Sequence, residues 1–149
     1  AQLKQTREEE RQAILQSMGF QQFEEQIERQ ALSKAEIIEM KPYVDFQSHT
    51  RFHPILTQCT DVVSKNEIEV SKQILTTELG LDIHSFAYPN GNYGEREIEY
   101  LKSAGYLTGM TVDPGLNSIH TAPYQLKRYA IKNVENVYEL DSKVSGMFD

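Results

Sequence analysis

Residues 44–54 read VDFQSHTRFHP, with two histidines four apart and Pro54 directly after the second. What precedes the pair sets its backbone. Val44, Phe46 and Ser48 alternate with Asp45, Gln47 and His49, the period of two that puts successive side chains on opposite faces of a strand. The spacing predicts a strand over 43–48 whose C-terminal end delivers His49. On a helix, histidines four apart share a face, as in H-E-x-x-H zinc sites where the Glu is the base. Here Thr50 stands at the Glu position and Pro54 disfavours helical backbone at His53. If the pair grips a metal, it does so from a strand end and the loop beyond. A neutral ring nitrogen suits zinc and its neighbours, although spacing alone leaves ordinary histidines open.

Outward from this stretch, helix and strand alternate. Thr6 with Glu9, Ser33 with Glu36 and Ser64 with Glu67 are three capping-box pairs. Ile14, Leu15 and Met18 follow the first at helical spacing, and Gly19 offers a stop. Pro42 ends the short second helix. The third pair is expected to open the longest helix, with Ile68, Leu75 and Leu79 along one side and Gly80 after it. DIHSFAY (82–88) reads as an apolar strand before Pro89, and EREIEYLKSAG (95–105) as a helix with Ile98 and Leu101 inward. YLTGMTV (106–112) and QLKRYAI (125–131) read as strands, and VENVYEL (134–140) as a closing helix. Such alternation points to an α/β fold with a parallel sheet and crossover helices, which carries its chemistry at the C-terminal strand ends. His49 and Pro89 both fall there.

The chain has 149 residues and a formal charge of -7, enough for one domain with a real core. The acidic balance argues against nucleic acid as partner, since phosphate recognition needs clustered Lys and Arg. No apolar run reaches the roughly 18 residues of a membrane span. No signal peptide is visible, and both the cytoplasm and the bacterial cell envelope stay open as compartments. Cys59 is the single cysteine, so neither an intrachain disulfide nor a cysteine-rich zinc site can form.

SHTRFHP resembles the second motif of the polysaccharide deacetylase family, the NodB-homology domain of carbohydrate esterase family four. That motif reads His-[Ser/Thr]-x-x-His-Pro, matched by His49, Thr50, His53 and Pro54. SFAYPNGNYGE (85–95) resembles the family's third motif, an apolar strand ending in Pro-x-Gly. On this likeness the chain is a single domain over 1–149, with the family match over about 32–131 and a helical lead-in over 1–31. The fold implied is a partial, distorted (β/α) barrel with parallel strands and crossover helices.

The resemblance implies a metal-dependent hydrolase that removes acetyl groups from N-acetylated glycan or polysaccharide. His49 and His53 become two ligands of a divalent ion, commonly zinc, and Thr50 braces the loop between them. The Asn90 backbone N–H becomes an oxyanion donor, with Pro89 and Gly91 setting its turn. Tyr88 and Arg128 are placed as substrate-binding residues, with a surface salt bridge as the other reading of Arg128.

Parts of the family pattern are absent from the sequence. No Thr-Phe-Asp-Asp-Gly segment, which supplies the general base and the third metal ligand, occurs in the chain. Asp45 is no substitute, lying about 13 Å from His49 along an extended strand. Ala87 stands where the third motif carries an Arg. The late general-acid His has no counterpart, and the remaining histidines, His84 and His120, are read as a packed residue and a loop residue. Asp113 is read as a surface charge. The chain is accordingly expected to be the C-terminal portion of a deacetylase, inactive alone, with a sheet edge open to pairing with a second copy. A non-catalytic glycan-binding member of the same fold is the alternative, and a bland α/β interaction module the third reading.

Overall fold

The computed structural model describes residues 6, 8–19 and 31–130, together with positions 138, 141 and 145. The elements bounded among the described residues are α1 (Glu8–Ser17), α2 (Lys34–Met40), α3 (Asp61–Leu79), β1 (Ser85–Ala87), α4 (Glu95–Ser103) and β2 (Thr108–Met110). β1 and β2 are parallel, with Ser85, Phe86 and Ala87 opposite Thr108, Gly109 and Met110. Single parallel bridges, Ser48 to Phe86 and Met110 to Leu126, extend the ladder on either side. Four chain segments thus lie side by side in sequence order. α3 crosses over between the first two, and α4 between the second and third.

Among the described residues, the segments expected as strands at 43–48 and 125–131 join the ladder through one bridge residue each, Ser48 and Leu126. In both places an amide side chain takes backbone groups that a longer ladder would use. Gln47 accepts from the N–H groups of His84 and Ser85 at 3.0 and 2.8 Å. Asn117 accepts from Lys127 N–H at 2.9 Å and donates to its carbonyl at 2.8 Å.

α2 is capped as its sequence predicts, with Ser33 N–H donating to Glu36 and Glu36 N–H to the Ser33 hydroxyl. α3 is not. Its cap is Thr60, four residues earlier, whose hydroxyl accepts from Val63 N–H. Ser64 and Glu67 therefore lie inside the helix and on its buried face. Ser64 donates to Glu97 at 3.1 Å, and the Glu67 carboxylate reaches the histidine loop. The capping-box spacing coincides with one helical turn, so tertiary partners captured both side chains. Met18, just past the end of α1, is 74% exposed, since no described element covers it. The closing helix over 134–140 lies outside the described residues apart from Tyr138.

The core lies between the sheet and α3–α4. Leu56, Ile68, Leu81, Ile83, Phe86, Tyr88, Leu101 and Tyr106 form one buried cluster. Phe86 sits edge-to-face with Tyr88 and Tyr106, with centroids 5.7 and 5.4 Å apart. Burying such rings removes much apolar surface from water and supplies most of the drive for packing. Gly109 makes this arrangement possible, because a Cβ there would lie 2.6 Å from the Tyr88 hydroxyl and 2.8 Å from the Tyr124 carbonyl oxygen.

α4 is locked to the turn before α3 by one ion network. Arg96 donates to the Leu56 and Cys59 carbonyls and pairs with Asp61 and the buried Glu97. This fixes the chain that leaves the histidine loop at Pro54, itself buried.

Candidate metal site at the C-terminal strand ends

The ladder at Ser48 ends one residue before His49, so the imidazole emerges at the C-terminal edge of the sheet. Its Nδ1 lies 2.7 Å from the carbonyl oxygen of Ala87, the last residue of β1. A carbonyl can only accept, so Nδ1 carries the proton and the ring's lone pair is on Nε2. A hydrogen bond of this kind orients a metal-binding histidine. The His53 ring packs edge-on against it, with centroids 4.8 Å apart and planes inclined by 74°. Desolvation pushes the His49 imidazole below its ordinary pKa, and the neighbouring His53 and Arg128 push the same way, against the Ala87 hydrogen bond. A lowered pKa keeps the ring neutral near pH 7, the form that binds a metal.

The loop between the rings is bent by two non-glycine residues in the left-handed region, Thr50 at φ 66° and His53 at φ 55°. Such conformations cost on the order of 1–3 kcal/mol each and persist only where surrounding bonds enforce them. Three bonds do so. His53 N–H donates to the Thr50 hydroxyl at 3.0 Å. Arg51 and Phe52 N–H both donate to one oxygen of Glu67, at 2.8 and 3.1 Å. Hydrogen bonds to a charged group contribute about 1.5–3 kcal/mol each, enough to offset the strain.

Pro89, Asn90 and Gly91 form a single 3₁₀ turn just beyond β1. Asn90 is left-handed at φ 55°, as is Gly91 at φ 73°. A Cβ at Gly91 would overlap the Val112 side chain, so this turn and the chain just past β2 approach too closely for a side chain there. Pro89 is buried and Asn90 exposed.

Tyr88 corrects an expectation. Placed among the substrate-binding residues by the resemblance, its side chain is fully buried, stacked on Tyr93 and donating to the Tyr124 carbonyl at 3.0 Å. Strand alternation points it into the core, where a glycan has no access. Arg128 is exposed, its backbone N–H held by the Asp113 carbonyl, and its charge is felt at His49. His84 sits at the opposite end of β1, with its backbone and ring both engaged by Gln47. His120 lies in the exposed loop between β2 and Leu126.

A divalent ion implied by the resemblance finds two suitable donors, the imidazoles of His49 and His53. Among the described residues no group of three His, Cys, Asp or Glu side chains comes together. The pair thus fits two of the three protein ligands that a catalytic zinc generally takes. Glu67 escaped the sequence reading because it was assigned to a helix cap. The available signal was the face Ser64, Glu67, Ile68 and Ser71, which places polar residues at helical spacing beside a core isoleucine.

A parallel sheet with crossover helices and a histidine pair at its C-terminal edge defines an α/β domain with a candidate metal site at its strand ends. The profile of the polysaccharide deacetylase family matches residues 11–109, a range that takes in the later part of α1 as well as both motifs. The chain belongs to this family, as a partial α/β domain of its fold. It is 27% identical over 101 residues to YxkH of Bacillus subtilis, whose name places it among the polysaccharide deacetylases. That match covers 67% of this chain and 36% of YxkH. The Streptococcus pyogenes deacetylase PplD, solved in complex with acetate, superposes with a TM-score of 0.69 at 28% identity over 75% of this chain and 50% of that one. BC0361, a polysaccharide deacetylase from Bacillus cereus, gives a TM-score of 0.66 at 24% identity, covering 89% of this chain and 46% of its own, a likeness of fold. The chain therefore spans half or less of the length of these relatives.

Proposed function

We propose that this chain carries the metal-ligand portion of a carbohydrate N-deacetylase, with His49 and His53 as two ligands of a divalent ion, commonly zinc. The observation that carries this reading is the joining of the two motifs, His49 Nδ1 bonded to the Ala87 carbonyl so that Nε2 is left to bind. Such an ion supplies Lewis acidity, polarising an acetamide carbonyl and acidifying water. The chain's own residues do the rest that is within their reach. Thr50 holds the His53 backbone, the Pro89–Gly91 turn presents the Asn90 N–H to a developing oxyanion, and Arg128 lines the rim toward an N-acetylated glycan. A third ligand and a general base are not among the described residues, so the chain by itself is expected to be inactive.

The alternative, a glycan-binding member without catalysis, is favoured by one observation. Ala87, where the family places an Arg, offers only its carbonyl. The sheet edge at Ser48 is where a second copy would pair, with light scattering as the measurement.

Isothermal titration with Zn²⁺ tests the metal reading. One ion is expected to bind, with affinity falling in His49→Ala and in His53→Ala by at least the roughly 10–100-fold that losing an outer-shell partner costs. Equal binding by all three proteins would overturn it. Incubation with an N-acetylated sugar oligomer then separates the two functions, since binding without acetate release supports the non-catalytic member.

A further inference from the structure

Glu67 is 6% exposed, on the buried face of α3. Its Oε2 receives two consecutive backbone N–H groups, those of Arg51 at 2.8 Å and Phe52 at 3.1 Å, from the middle of the His49–His53 loop. Consecutive amides that converge on one point form an anion-binding concavity, and here a carboxylate of the same chain fills it. The third amide in the row, His53 N–H, goes to the Thr50 hydroxyl. All three donors of the bend are therefore committed, two of them to Glu67. Glu67 is itself anchored, because the next residue, Ile68, is fully buried in the core cluster.

We infer that Glu67 is a positioning residue for the histidine pair: through the Arg51 and Phe52 amides it holds Thr50 and His53 in their left-handed conformations, and so sets the His53 ring against His49. This rests on the reading of the pair as metal ligands. A carboxylate suits the task because one charged oxygen accepts both donors, which a neutral amide does less strongly. Ser64, one turn earlier on the same face, has a different job. It donates to Glu97 in the network under α4, away from the loop.

The test compares Glu67→Ala, Glu67→Gln and Ser64→Ala by amide hydrogen exchange, by the NMR cross-peaks between the His49 and His53 rings, and by Zn²⁺ titration. In Glu67→Ala the Arg51 and Phe52 amides are expected to exchange about tenfold faster beyond any change in global stability, the ring cross-peaks to vanish, and Zn²⁺ affinity to fall about tenfold, as for an outer-shell partner. Glu67→Gln, which keeps an acceptor oxygen, recovers part of each and serves alone should Glu67→Ala not fold. Ser64→Ala is expected to lower the melting temperature while leaving the loop amides and Zn²⁺ affinity at wild-type values. Zn²⁺ affinity within twofold of wild type in the Glu67 variants, or an equal loss in Ser64→Ala, overturns the assignment. Failure of the wild-type chain to bind Zn²⁺ would sink the ligand reading instead. The exchange rates and ring cross-peaks then decide for Glu67, and wild-type values in its variants count against it.

Discussion

His49 Nδ1 lies 2.7 Å from the Ala87 carbonyl oxygen, so the end of the first ladder segment and the end of β1 are joined by a side chain as well as by a backbone bridge. Ala87 N–H in turn donates to the Ser48 carbonyl at 3.0 Å. The ring's orientation is thus a property of sheet register. A one-residue slip would turn His49 to the other face.

Because both rings are exposed, removing them costs little fold stability. His49→Ala and His53→Ala are each expected to stay within about 0.5–1 kcal/mol of wild type in urea unfolding, as other surface changes do. Thermal unfolding with saturating Zn²⁺ should show a raised midpoint for wild type that both variants lose. A variant that unfolds without added metal would indicate a structural role instead.

Two glycines permit no side chain. Gly109→Ala drives a methyl into the Tyr88 hydroxyl and the Tyr124 carbonyl, and Gly91→Ala combines a clash on Val112 with a left-handed backbone. Each is expected to destabilise by about 1–3 kcal/mol, the usual range for overpacking. The effects should differ in kind. Gly109→Ala perturbs core aromatic circular dichroism, while Gly91→Ala acts at the turn carrying Asn90.

High pH should unfold the chain through its buried phenols. Burial holds the Tyr88 hydroxyl well above its ordinary pKa, with Tyr93, Glu97 and Tyr124 adding to the effect. Burial raises Tyr106 too, against its hydrogen bonds to Ser48 and Ser71. A folded-state pKa above the unfolded one gives stability that is whole below about pH 10 and is lost as pH rises toward the folded value. Absorbance at the phenolate band should show two of the eight tyrosines ionising only with loss of far-ultraviolet circular dichroism. Ionisation of all eight before any unfolding would contradict this burial.

Arg96→Ala is expected to destabilise by about 2–4 kcal/mol, near the low end for breaking a buried pair because the guanidinium is partly exposed. It leaves Glu97 without its cation and removes the guanidinium's hydrogen bonds to the Leu56 and Cys59 carbonyls. Lys34→Ala, at an exposed pair with Glu78, should be nearly silent. Urea titrations of the two variants side by side check the contrast.

Much of this was legible in the sequence where local rules and tertiary packing agree. The period of two around Phe86, the helical spacing of Ile98 and Leu101 and the Ser33–Glu36 cap all lie where the residues predict. The His-Thr-x-x-His-Pro stretch also announced a bent loop, because Pro54 forbids a helix there. Reading failed where a side chain serves a distant segment. Gln47 and Asn117 displaced backbone pairing, and Ser64 and Glu67 left a cap for partners in α4 and in the loop. Such choices depend on neighbours 10 to 40 positions away, which local spacing cannot encode.

The three parallel pairings along the ladder are closed by successively shorter excursions of chain, from Ser48–Phe86 through β1–β2 to Met110–Leu126. Loop-closure entropy grows with the logarithm of length, so the last pairing is the least costly to form and the first the most. Contacts of high sequence separation also tend to form late. The polypeptide is therefore expected to assemble from its C-terminal side, with the histidine loop docking last. Pulse-labelled hydrogen exchange during refolding would then protect the Leu126 amide before that of Ala87, and the reverse order would refute this route. A nascent chain that follows it brings the His49 and His53 rings together only after the hydrophobic interior has consolidated.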